Sequence, residues 1–210
     1  MVNAPSTRTS FKEKMRQARE DAIVQTVNRL LAERGYEAMT VDAVAAEVGI
    51  AKASLYTHFP SKEDLAAAAM VRVLLQVSAH MDGLAPELPA LARLRAVVAW
   101  AMHAKLAGQM PFLPSHNSAL RATLMAHSDY LAALGAISAR LTGWIVAAQV
   151  QGHLRTHLPP QVILYTLYAR ACDPVLDYLK LDGLYTDAQM VDLVLDTCFQ
   201  GLGTSSETLI

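Results

Sequence analysis

The chain has 210 residues, 53% of them hydrophobic and only 18% charged. That is enough apolar material for a genuine core, and room for one large domain or a small one joined to a larger one. A net charge of −1 excludes a uniformly basic nucleic-acid binder, and the polar start "MVNAPSTRTSFKEK" speaks against a secretory signal. Apolar runs such as "WIVAAQV" and "LAAAAMV" fall short of the ~20 residues that cross a bilayer. Apolar residues recur at three and four positions, the helical period, so the chain is expected to be all-α, cytoplasmic and without membrane contact.

Taken in chain order, Ser10-Phe-Lys-Glu13 fits a capping box. The helix it opens carries Ile23, Val27, Leu30 and Leu31 on its apolar face and should end before Gly35. Thr40 can cap a short second helix, 41–48, closed by Gly49; a third begins near Lys52 and must stop at Pro60. Ser61-Lys-Glu-Asp64 opens a long fourth helix to about Met81. Helices are then expected over roughly 89–107, 119–126 and 128–152, with "GHLRTHLPP" turning the chain. Pro159-Pro160 suit the first turn of the next helix, which Pro174 should kink and Gly183 should end. Thr186-Asp-Ala-Gln189 caps the last, where Val191, Val194, Leu195, Cys198 and Leu202 form one stripe. The total is about nine helices. Cys172 and Cys198 lack CxxC spacing and are expected to be reduced, mostly buried thiols.

Charge is unevenly spread. Residues 1–19 hold Arg8, Lys12, Lys14, Arg16 and Arg19 against Glu13 alone, whereas residues 63–210 hold nine Lys/Arg against twelve Asp/Glu. A basic head on a mildly acidic body points to two jobs. Helix, glycine turn, short helix is a helix-turn-helix layout, in which the second short helix enters the DNA major groove. On that helix Ala53, Ser54 and Thr57 can approach base edges. Lys52, Tyr56 and His58, with Lys62 beyond, can reach phosphates; Thr40 joins the candidate DNA contacts. Leu55 and Phe59 point back to the core.

"LAERGYEAMT" followed by "TVDAVAAEVGIAKASLYTHFPSKEDL" resembles the DNA-binding domain of the TetR family of bacterial transcriptional repressors, over residues 19 to about 70. Tyr56, Phe59, Lys62, Glu63 and Leu65 stand at that family's spacing. The resemblance implies a homodimer whose C-terminal domain binds a small molecule that releases DNA. It divides the chain into a helix-turn-helix domain with a basic arm, 1–62, and a ligand-binding and dimerisation domain, 63–210. The family usually has Ser or Thr at position 51; here Ala51 removes a cap worth about 0.5–2 kcal/mol.

In the C-terminal part, Trp100, Met110, Phe112, Tyr130 and Trp144 could line an apolar cavity, with His103 and His127 as orienting groups. The effector is therefore expected to be small and apolar. Helices 161–182 and 187–202 carry apolar residues on more than one face, which suits a four-helix dimer interface. His153 and His157 have metal-ligand spacing only if helical, and Gly152 and Pro159 place them in a turn. No GxSxG, Walker loop, GxGxxG or paired-carboxylate spacing occurs, so neither an enzyme nor a cofactor is expected. The alternative from another class is a helical ligand-carrying or enzymatic bundle with a vestigial helix-turn-helix.

Overall fold

The computed structural model describes residues 10–110 and 118–202, with only the backbone of Ser118 and Ala119. Among the described residues it is all-helical: α1 (Phe11–Ala38), α2 (Val41–Val48), α3 (Lys52–His58), α4 (Lys62–Asp82), α5 (Ala90–Leu106), α6 (Ser118–Ala126), α7 (Ser128–Val150), α8 (Pro160–Ala171), α9 (Val175–Asp182) and α10 (Asp187–Gln200). Local chemistry sets the starts. The hydroxyls of Ser10, Thr40 and Ser61 accept the N–H groups of Glu13, Ala43 and Asp64 at 3.2, 3.1 and 3.0 Å, each a cap worth about 1 kcal/mol. Thr186 and Gln189 close a full capping box on α10. Gly35, at φ 74° and ψ 171°, interrupts α1, so that residues 36–38 leave its axis.

Three expectations need correction. Pro174 separates α8 from α9 instead of kinking one helix, because proline offers no N–H and disfavours helical geometry at the preceding Asp173. Asp173 itself is buried; it accepts the N–H of Val175 at 3.0 Å and pairs with Arg170. The second correction concerns α7, whose 23 residues are by length and composition apolar enough to cross a bilayer. Short apolar runs hid this because Gly135, Ser138, Arg140, Thr142 and Gly143 interrupt them. In the fold Ile137, Leu141, Ile145 and Ala148 of α7 pack into the core. Third, Cys172 is exposed and Cys198 half-buried, both as free thiols.

Two apolar cores result, and α4 runs through both. The first gathers Ile23, Val27, Leu30 and Leu31 of α1, Val44 of α2, Leu55 of α3, and Leu65, Ala66, Ala67 and Ala69 of α4. Leu120 and Leu124 of α6 also belong to it. The second is built by Met81 at the end of α4 with α5, α7, α8, α9 and α10, including Leu94, Met102, Leu167, Leu176 and Met190. Val194 and Leu195 are buried in this core, so they serve the subunit's own packing. At ~1.5 Å per residue α4 spans about 32 Å, a rod that carries the first core on one end and the second on the other.

Candidate nucleic-acid interface

The turn between α2 and α3 depends on one backbone conformation. Gly49 lies at φ 74° and ψ 33°, left-handed, and the N–H of the next residue, Ile50, reaches the Ala45 carbonyl at 3.0 Å. A Cβ at 49 would touch nothing, so glycine is required by its φ and not by crowding. Beyond the turn, α3 divides into two sides. Leu55 is 0% exposed and Phe59 packs half-buried against the first core. Lys52, Ala53, Tyr56 and Thr57 are exposed, Tyr56 by 44%, and Ser54 is half-buried. The Thr57 hydroxyl donates to the Ser54 carbonyl at 2.6 Å, which restrains its rotamer on the exposed side of α3.

Ala51 makes no side-chain cap, as its composition dictates. In its place the Lys52 ammonium meets Asp42 at 2.9 Å, tying the first residue of α3 to the first turn of α2. This hydrogen bond raises the pKa of Lys52. Thr40, also exposed, spends its hydroxyl as an acceptor in capping α2.

Besides Lys52, two more of the residues expected to face phosphates are engaged within the protein. His58 is half-buried, with its Nδ1 3.0 Å from Glu20 of α1, which Arg16 also contacts at 3.0 Å. The hydrogen bond with His58 is the main cause holding the Glu20 carboxyl below its ordinary range. Lys62 places its ammonium 4.3 Å from the centroid of the Tyr36 ring and 3.4 Å from the Glu37 carbonyl. The Tyr36 hydroxyl donates to Glu63 at 2.6 Å. Burial first, then this bond, pushes the Tyr36 phenol far up, while the same bond lowers Glu63. These ties bolt the end of α1 to the start of α4. Sequence inspection passes over Glu20, Asp42 and Tyr36 because their partners lie far away in the chain; only Glu63 is flagged, by its place in the motif. Of the basic arm, Lys12, Lys14, Arg16 and Arg19 are exposed on the first turns of α1, and Arg8 lies outside the described residues.

The candidate ligand residues are spread over α5, α7 and the turns that flank them. Trp100 is half-buried on α5 and stacks on His80 at 5.5 Å, whereas Trp144 of α7 lies beneath the guanidinium groups of Arg93 and Arg140, 5.6 and 5.8 Å from its centroid. His103 is exposed. His127 caps α7, its Nδ1 accepting the Tyr130 N–H at 3.4 Å, and Tyr130 packs against the first core. Met110 is half-buried at the edge of the described region, and Phe112 lies outside it. His153 and His157 are exposed in the turn after α7, and among the described residues no His/Cys/Asp/Glu group could hold a metal ion.

Comparison with known proteins bears on the same segment. Residues 23–69 match the family described as bacterial regulatory proteins, tetR family. Over 60 residues the chain is 43% identical to an uncharacterized HTH-type transcriptional regulator, Rv1556, of Mycobacterium tuberculosis; the match covers 29% of this chain and 30% of that protein. The chain thus spans about a third of that relative's length. Its fold is similar to that of the transcriptional regulator FadR from Bacillus subtilis in complex with stearoyl-CoA, with TM-score 0.66 at 19% identity over 87% of this chain and 99% of the other. It is also similar to AibR in complex with isovaleryl coenzyme A and operator DNA, with TM-score 0.61 at 22% identity over 86% and 98%.

Proposed function

We propose that this chain, whose N-terminal domain belongs to the TetR family of bacterial regulatory proteins, is a cytoplasmic, ligand-responsive transcriptional repressor that binds a palindromic operator as a homodimer. The observation that carries the reading is the division of α3. Leu55 and Phe59 anchor one side, and Lys52, Ala53, Tyr56 and Thr57 stand exposed on the other, with the Lys52 ammonium on Asp42. Lys52 and Tyr56 then meet phosphates, Ala53, Ser54 and Thr57 lie nearest the bases, and Thr40 sits at the start of the supporting helix. His58 acts through Glu20 to hold α3 on α1, and Lys62 acts through Tyr36.

A second subunit is supported by the far end of the molecule. Val162 and Tyr165 of α8, Tyr178 and Leu181 of α9, Leu184, and Leu193 of α10 are all exposed large apolar residues. Pairing with a copy would bury them and would place two α3 helices on successive major grooves, ~34–36 Å apart. An apolar effector held beside Trp144, which packs on the second core, would favour one tilt of α4 and so change that spacing. Acyl-CoA molecules held by FadR and AibR support an apolar acyl chain as its chemistry. The test is a gel-shift screen on DNA flanking the chain's own gene, repeated with acyl-CoA thioesters. A discrete complex released by one of them supports the proposal; binding that ignores sequence sinks it.

A further inference from the structure

A cleft of about 440 Å³ lies between α1, α4 and the turn that follows α5. Its walls include Gln25, Asn28 and Arg29 of α1, Arg72 and Gln76 of α4, and Gln109 of the turn. Asn28 is the unusual member. It is only 7% exposed, one residue from the wholly buried Val27, and its Oδ1 has no hydrogen-bond partner. A buried acceptor without a donor is costly, and such groups are kept where something else supplies the donor.

The charges in the walls are both positive. Arg29 already pairs with Glu33 at 2.7 Å and with Glu47, and Arg72 meets the Asp21 carboxylate at 3.5 Å and its carbonyl at 3.1 Å. These acids do not line the cleft, and a guanidinium carries five N–H donors, more than they consume. The side-chain amides of Gln25, Gln76 and Gln109 form no hydrogen bond to the described residues, so they too remain available. What the cleft lacks is an anion that also brings a donor.

We propose that this cleft is a binding site for a small hydroxylated carboxylate. Its carboxylate oxygens accept from Arg29 and Arg72, its hydroxyl donates to Asn28 Oδ1 once that side chain turns toward the cleft, and the glutamine amides take the remaining oxygens. The site is distinct from the outer side of α3 and from the tryptophans of α5 and α7. A molecule held there touches α1 of the first core and the turn that leaves the second core at Leu106.

The test is isothermal titration of the full chain with citrate and with tricarballylate, the same tricarboxylate lacking the hydroxyl. Citrate should bind saturably, and tricarballylate about tenfold more weakly, the worth of one hydrogen bond to a buried acceptor. Asn28→Leu should bring citrate down to the tricarballylate level while the melting temperature holds or rises, because the orphaned acceptor is gone. Gln76→Leu, on the exposed side of α4, should weaken citrate at least threefold and serves if the first variant misfolds. Absence of saturable citrate binding by about 10 mM, equal affinity for the two acids, or variants that bind citrate as the parent does would each overturn the site.

Discussion

At the α3 end of the molecule the large aliphatic side chains are buried, and lysine, threonine and one tyrosine face outward. At the α8–α10 end Tyr165, Tyr178, Leu181 and Leu184 stand 64–83% exposed. Both ends belong to amphipathic helices with a fully packed inner side. The outer sides differ, in the way that the proposed partners, DNA and a second copy, would require. A polyanion is met by isolated cations and small residues that allow close approach. A second copy of the same chain would be met by a broad apolar face, since that is what burial rewards.

The largest effect should come from exchanging the inner and outer roles. Leu55→Ala removes a fully buried side chain of α3 and should cost about 2–5 kcal/mol of stability in urea unfolding. Leu181→Ala, at an 83% exposed position, should leave the subunit's own packing almost untouched and act on association alone. Comparable losses in the two, measured on dilute protein, would erase the distinction between the ends.

Next in size is the apolar face itself. Leu193→Asp and Tyr178→Asp place charge on exposed positions and should give folded monomers by sedimentation at micromolar concentration. Val194 and Leu195 would be the wrong probes: they are buried within the subunit, so aspartate there unfolds it and says nothing of assembly. A parent protein that sediments as a monomer would remove this half of the comparison.

A smaller effect belongs to the tie behind α3. Tyr36→Phe deletes the donor to Glu63 and should cost about 1.5 kcal/mol, the lower end for a hydrogen bond to a charged group. Its pH dependence has a definite sign. Glu63 is held below its ordinary value of 4.5, chiefly by Tyr36, so the stabilisation is complete above that value and is lost as pH falls through the lowered one. Denaturant midpoints of parent and variant should therefore converge in acid; a constant gap from neutral pH down to strong acid would contradict the assignment.

What can be read from the chain alone follows the range of the interactions. Caps at Ser10, Thr40, Ser61 and Thr186 join residues three apart, and the glycine stop at Gly49 is a property of one residue, so these are legible. The division of α3 is legible too, because Leu55 and Phe59 are four apart on one side. Ties such as Glu20 to His58, 38 residues apart, or Lys105 to Asp177, 72 apart, have no local signature. That is why His58 and Lys62 read by sequence as free cations, whereas in the fold each already has a protein partner, as Lys52 has in Asp42. The candidate effector residues share only bulk and softness, properties that plain packing also selects, so the pattern could not say that Tyr130 joins the first core and Trp144 the second.

The smallest expected change sharpens the account of α3. Ala51→Ser should restore a side-chain acceptor at the helix start, where none exists now, and stabilise the protein by about 0.5–1 kcal/mol. No gain in the thermal midpoint would mean that the Lys52–Asp42 tie already does the work of the cap.

The central claim, that the outer side of α3 binds DNA electrostatically as one half of a symmetric pair, is tested most directly by the salt dependence of operator binding for the parent and Lys52→Ala. Removing one cation from a phosphate reduces the slope of log K against log salt by about 0.9, so a dimer with one such removal per subunit should show a decrease of about 1.8. Affinity should fall alike for specific and nonspecific DNA. An unchanged slope, with operator affinity intact, would contradict the account.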